Sequence, residues 1–111
     1  MSITLNSSTT NNADWKTQFE FKDGDTGDLI DFTGAEIAIE VWDDNCRRIR
    51  ATTDDEIAII SAGLIELTIP ESQMKNLCAG SYNIGGVYEL NGETISLFTG
   101  TLAIRKGYAT V

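Results

Sequence analysis

The chain reads as an all-β protein, an immunoglobulin-like sandwich of about seven to eight antiparallel strands with one short helical turn. Three observations lead there. Apolar and polar residues alternate with a period of two in several short segments. Turn residues recur every eight to twelve positions between those segments. A glycine-tyrosine corner, Leu77-Cys78-Ala79-Gly80-Ser81-Tyr82, stands at the mouth of a strand. Such a corner buries the phenol and returns its hydroxyl to upstream backbone where the chain crosses between two sheets. A small closed barrel is the alternative all-β architecture.

The elements follow in order. Ser2 to Leu5 is a short first strand before the polar, aperiodic stretch Asn6 to Asp14, or residues 1–14 as a whole form an extended arm. Trp15, Thr17, Phe19 and Phe21 alternate with Lys16, Gln18, Glu20 and Lys22, a strand with one wet face. Asp23 to Asp28 is a turn-rich loop, and Leu29 to Phe32 pairs briefly. Ala35 to Asp43 places Ile37, Ile39 and Val41 inward and Ala38, Glu40 and Trp42 outward. Arg47 to Thr52 and Glu56 to Ile60 flank an acidic turn at Asp54-Asp55, and Leu64 to Ile69 alternates again until Pro70, which lacks a ladder donor. Glu71 to Leu77 is the helical candidate, with Met74 and Leu77 on one side.

Asn91-Gly92 is a two-residue hairpin turn, because both positions accept positive φ. It sets Leu90 opposite Glu93, Tyr88 opposite Ile95, Gly86 opposite Leu97 and Gly85 opposite Phe98. Tyr88, Ile95 and Leu97 then share the core face, and Phe98 lies on the outer face. Beyond it the apolar parity switches to Leu102 and Ile104, and Gly100 is the expected bulge. Gly80, Tyr82, Asn91, Gly92 and Gly100 are thus the expected structural residues.

Composition limits function. The 111 residues fit one domain, large enough to bury a core without a metal or disulfide. Seventeen acidic against eight basic residues give a net charge of −9, which repels nucleic acid. The one basic cluster, Arg47-Arg48-Ile49-Arg50, sits among acidic neighbours that neutralise it. No apolar run reaches the length of a membrane span. The start lacks a basic or long apolar segment, so synthesis in a cytoplasm is expected. There Cys46 and Cys78 are free thiols.

Catalysis is not expected. The chain has no histidine, the commonest general base and metal ligand, and no nucleophile elbow. No cofactor is expected either. Asp23, Asp25 and Asp28 offer oxygen ligands for calcium, but the loop departs from the helix-loop-helix pattern at its fifth, sixth and twelfth positions, Gly27, Asp28 and Gly34. A looser calcium site, or an aromatic platform for a glycan, is the alternative binding role. Trp42, Val87 and Phe98 fall on outward parity and make a candidate interface, since a cluster of outward apolar groups marks a surface that something covers.

The order of motifs carries a resemblance. Asp14-Trp15 precedes an aromatic strand. Then follow Asp25-Thr26-Gly27-Asp28-Leu29-Ile30-Asp31-Phe32-Thr33-Gly34-Ala35, Gly63 to Pro70, Leu77 to Tyr82, Leu90-Asn91-Gly92 and Gly100 to Ile104. Over residues 14 to 106 the chain resembles the amino-terminal β-sandwich domain of tailed-phage upper baseplate and tail-fibre-attachment proteins, and of similar small prophage proteins. The resemblance implies a virion structural component made in the bacterial cytoplasm. It would be an adaptor or decoration subunit that docks to other virion proteins or to copies of itself. It implies no catalytic residue. A receptor-binding part follows the sandwich in that family, and no such part lies within these 111 residues.

Overall fold

A computed structural model describes residues 3–22 and 27–109, with the side chains of residues 3–6 outside that description. Among the described residues, eight strands and one helical turn follow in the order β1 (Ile3–Thr10), β2 (Trp15–Glu20), β3 (Glu36–Asp43), β4 (Cys46–Thr52), β5 (Ile57–Ser61), β6 (Leu64–Ile69), α1 (Glu71–Met74), β7 (Gly80–Leu90) and β8 (Glu93–Arg105). They form a five-stranded sheet ordered β1-β8-β7-β3-β4 and a three-stranded sheet ordered β2-β6-β5. This is the immunoglobulin-like sandwich expected: β2, β6 and β5 stand as strands B, E and D, and β3, β7 and β8 as C, F and G, with β4 beside C.

The alternation of each strand becomes the two faces of its sheet. Ile37, Ile39 and Val41 of β3 meet Ile65, Leu67 and Ile69 of β6 in one core, and all six are buried. The corner forms as the sequence indicates. Gly80 opens β7, Tyr82 is buried, and its hydroxyl donates to the Cys78 carbonyl at 2.7 Å. Burial pushes the Tyr82 phenol above its usual range. The hairpin turn also forms, with Asn91 at φ 55° and Gly92 at φ 83°.

Four expectations are corrected. The first strand does not stop at Leu5. It runs to Thr10 and pairs parallel to β8, from Ile3 opposite Phe98 to Thr10 opposite Arg105, so the sheet is not wholly antiparallel. Backbone bonding to β8 orders this strand, and its polar second half gives no apolar alternation to read. The loop behind it is pinned by its own amides. Asn11 Nδ2 donates to the Leu77 carbonyl at 2.9 Å, and Asn11 Oδ1 accepts from the Gly107 N–H at 2.9 Å. Asn12 Nδ2 donates to the Ala109 carbonyl at 2.7 Å. Asp14 Oδ1 accepts the Glu71 N–H at 2.7 Å and so caps the start of α1.

The second and third corrections concern Leu29–Phe32 and Glu71–Leu77. The former makes only an isolated bridge, Lys22 with Leu29, yet buries Phe32 completely. The helix ends at Met74, although a further turn bond from the Leu77 N–H to the Met74 carbonyl keeps both apolar side chains buried.

The fourth correction has the largest consequence. The β7–β8 register holds from Leu90–Glu93 to Val87–Ser96, then slips, so that Gly86 faces Phe98 and Gly85 faces Thr99. The bulge therefore lies at Leu97, not at Gly100, which pairs regularly with Ile84 and Leu5. It turns both Leu97 and Phe98 into the core. The Phe98 ring fills the space that Gly86 leaves: a Cβ there would sit 2.6 Å from Phe98 Cε1. Phe98 packs 5.7 Å from Phe19 and 5.8 Å from Phe21 between ring centres.

Candidate interaction surface

A sandwich has two outer walls, and here they differ in chemistry. The wall of the three-stranded sheet carries Lys16, Gln18, Glu20 and Glu66. Lys16 Nζ lies 3.6 Å from Glu66 Oε1, and Gln18 Nε2 donates to Glu66 Oε2 at 3.1 Å. The wall of the five-stranded sheet is charge-poor at its centre. Ser81, Asn83, Gly85 and Val87 of β7 lie beside Ala103, Thr101, Thr99 and Ser96 of β8. Charged groups flank this field: Glu36 and Glu89 at the hairpin end, Arg105 at the other, and Glu40 with the arginines of β4 along the side.

Two of the three residues expected at an interface are on this wall. Trp42 is 38% exposed and Val87 40% exposed. Phe98 is not, because the bulge at Leu97 turns its ring inward. The cross-strand ladder places Ala38, Val87 and Ser96 in one row, Glu40, Gly85 and Thr99 in the next, and Trp42, Asn83 and Thr101 in the third. Between the first and third rows lies a concavity of about 280 Å³, floored by Gly85 and Gly86 with Phe98 beneath and walled by Ala38, Val87 and Trp42. The missing side chain of Gly85 opens it, whereas Gly86 faces the core, where the Phe98 ring takes up its space.

The indole beside the concavity is held in place. Trp42 Nε1 donates to Glu40 Oε1 at 2.9 Å. The other oxygen of Glu40 accepts from Arg50 Nη1 and lies 3.6 Å from Arg47 Nη1. Burial pushes the Glu40 carboxyl up, but the bonds from Trp42 and Arg50 and the charges of Arg50 and Arg47 outweigh it, holding the group below its usual range. The basic cluster is thus spent on neighbours, with Arg48 Nη2 3.3 Å from Asp43 Oδ2. Asp43 is one of the acidic neighbours that flank the cluster in sequence; Glu40, three residues before it, meets the cluster across the β3–β4 ladder.

Cys46 and Cys78 are both exposed and unbridged. Of the candidate calcium ligands, Asp23 and Asp25 lie outside the described residues. Among the described residues, no three acidic, histidine or cysteine side chains converge as metal ligands. Among the described residues no helix is long and apolar enough to cross a membrane.

Sequence reasoning missed one apolar edge. Ile59 and Ile60 of β5 are 40% and 51% exposed. The unbroken apolar run Ile57-Ala58-Ile59-Ile60 could have flagged it, since a strand with one wet face alternates. Two devices blunt this edge: a bulge between Ile59 and Ser61, and the Asp54 N–H bonded to the Ile57 carbonyl. No known protein-family signature matches the chain, and a comparison with curated protein sequences finds no match.

Proposed function

We propose that this chain is a structural subunit of a tailed phage or prophage virion, a tail- or baseplate-associated adaptor or decoration protein that works by protein–protein assembly. One observation carries the reading: the five-stranded wall exposes Trp42 and Val87 around a shallow concavity bordered by the small uncharged side chains of β7 and β8 and, on its β4 side, by the paired Glu40 and Arg50. Depletion of charge with an aromatic at the centre is the composition of an interface core. The virion assignment rests on the order of sequence motifs described above. A chain without histidine gives little basis for catalysis, so the reading is non-enzymatic, with no cofactor.

Peptide mass spectrometry of purified virions from the encoding phage or induced prophage tests it. The polypeptide is expected in the particle. A handful of copies per particle assigns it to the baseplate or fibre attachment, and hundreds assign it to a coat. Its absence from the particle refutes the virion reading.

A second reading has its own observation. An exposed indole fixed by a carboxylate, with guanidinium groups alongside, is also a platform on which a sugar ring stacks. Calorimetry with a sugar panel, with and without calcium, separates the two: heat that vanishes in Trp42→Ala supports the glycan module, and silence removes it.

A further inference from the structure

The proposed assembly reading leaves the partner open, and the wall itself narrows it. We infer that the occupant of the five-stranded wall is a second copy of this chain, packed face to face about a two-fold axis that crosses the strands over Gly85 and Thr99. The inference rests on the assembly reading but not on its virion part.

The first support is self-complementarity. In an isologous interface, each patch must fit itself after the rotation. An axis over the Gly85–Thr99 row exchanges the row one step above it with the row one step below. Those rows are Ala38–Val87–Ser96 and Trp42–Asn83–Thr101. The rotation therefore carries the Trp42 indole of one copy onto the Ala38–Val87 wall of the other copy's concavity, and the reverse. The hollow of about 280 Å³ straddles the line, with Trp42 one row to one side and Ala38 and Val87 one row to the other. Glu40, close to that line, meets its own counterpart already neutralised by Arg47 and Arg50.

The second support is charge. Glu36 and Glu89 are cross-strand neighbours on the same face. Like charges so placed repel. Neither has an ion-pair partner among the described residues, and Arg105, at the far end of the same wall, has none either. The same rotation brings Arg105 of each copy to the Glu36–Glu89 end of the other. An axis along the strands would instead set the acidic ends against each other.

The third support is size. β3, β7, β8 and β1 span about 600 Å² in projection at ordinary strand spacing and rise. Two such walls remove about 1,200 Å² from water, the lower range for a specific complex. Outside its end charges the buried field carries Glu40 alone, which Arg47 and Arg50 neutralise, so a chain of net charge −9 brings two copies together where its own charge is least.

Sedimentation velocity between 5 and 200 µM tests the inference. The wild-type chain is expected to dimerise in that range. Trp42→Asp weakens the dimer at least about 30-fold, as for a central aromatic anchor, while circular dichroism and melting show the exposed site leaves the fold intact. Glu89→Arg and Arg105→Glu each weaken it, and the double variant restores it to within about 3-fold of wild type, as coupled charges do. A monomer throughout, a dimer indifferent to Trp42→Asp, or a double variant no better than the singles overturns the inference. A monomer that is nonetheless found in purified virions sinks the dimer alone; a dimer absent from virions sinks the virion reading alone.

Discussion

The two outer walls of this sandwich differ in chemistry although they enclose one core. The three-stranded wall carries Lys16, Gln18, Glu20 and Glu66, with Glu66 held by Lys16 and Gln18 and Glu20 beside Lys22, and it exposes Ile59 and Ile60 at its β5 edge. The five-stranded wall has a charge-poor centre, presents Trp42 and Val87, and lacks a side chain at Gly85. Both walls enclose the same buried core. Stability constrains the inner faces, so the difference outside reflects what each wall meets. Exposed ion pairs contribute about 0–1 kcal/mol each and cost little to keep. The exposed Trp42 is what the proposed interface would cover.

Substitutions across the five-stranded sheet break this comparison open, because its inner face should govern folding and its outer face association. Phe98→Ala is expected to be the most damaging, about 3–5 kcal/mol by urea unfolding, since it empties the space between Phe19, Phe21 and Gly86. Gly86→Ala should cost about 1–3 kcal/mol, because its new methyl meets the Phe98 ring. Tyr82→Phe removes the corner bond to Cys78 and should cost about 0.5–1.5 kcal/mol in the same measurement.

The smallest effect is electrostatic. The Glu40 carboxyl sits below its ordinary value of 4.5 in the folded chain. A depressed carboxylate lends stability above its unfolded value and loses it as pH falls through the folded one. Urea midpoints from pH 6 down to pH 3 should therefore fall less steeply in Glu40→Gln than in wild type. Equal slopes would mean that the Trp42–Glu40–Arg50 arrangement does not persist in solution.

The fold was largely legible because its signals were local and periodic. The strand from Ala35 to Asp43, the Asn91-Gly92 turn and the Tyr82 corner each announce themselves within a few residues, and all three form. What escaped was non-local. Ile3–Thr10 is ordered by the backbone of β8, about ninety residues away, so its polar half, Asn6 to Thr10, carries no trace of the pairing. The bulge at Leu97 depends on Gly86 making room for Phe98 across the hairpin. The change of apolar parity along β8 was visible, but it could be placed at Leu97 or at Gly100, and glycine drew the choice to the wrong position. The candidate surface inherited that error. Trp42 and Val87 were found by parity within regular ladder, and Phe98 was misplaced because its parity was counted through the slip.

The central claim is that the five-stranded wall is the assembly surface and the three-stranded wall is not. Sedimentation velocity on Val87→Asp and Gln18→Asp, one charge added to each wall, tests it most directly. The account predicts that Val87→Asp shifts the wild-type oligomer to monomer while Gln18→Asp sediments like wild type. Loss of the oligomer in Gln18→Asp with Val87→Asp unchanged would contradict it.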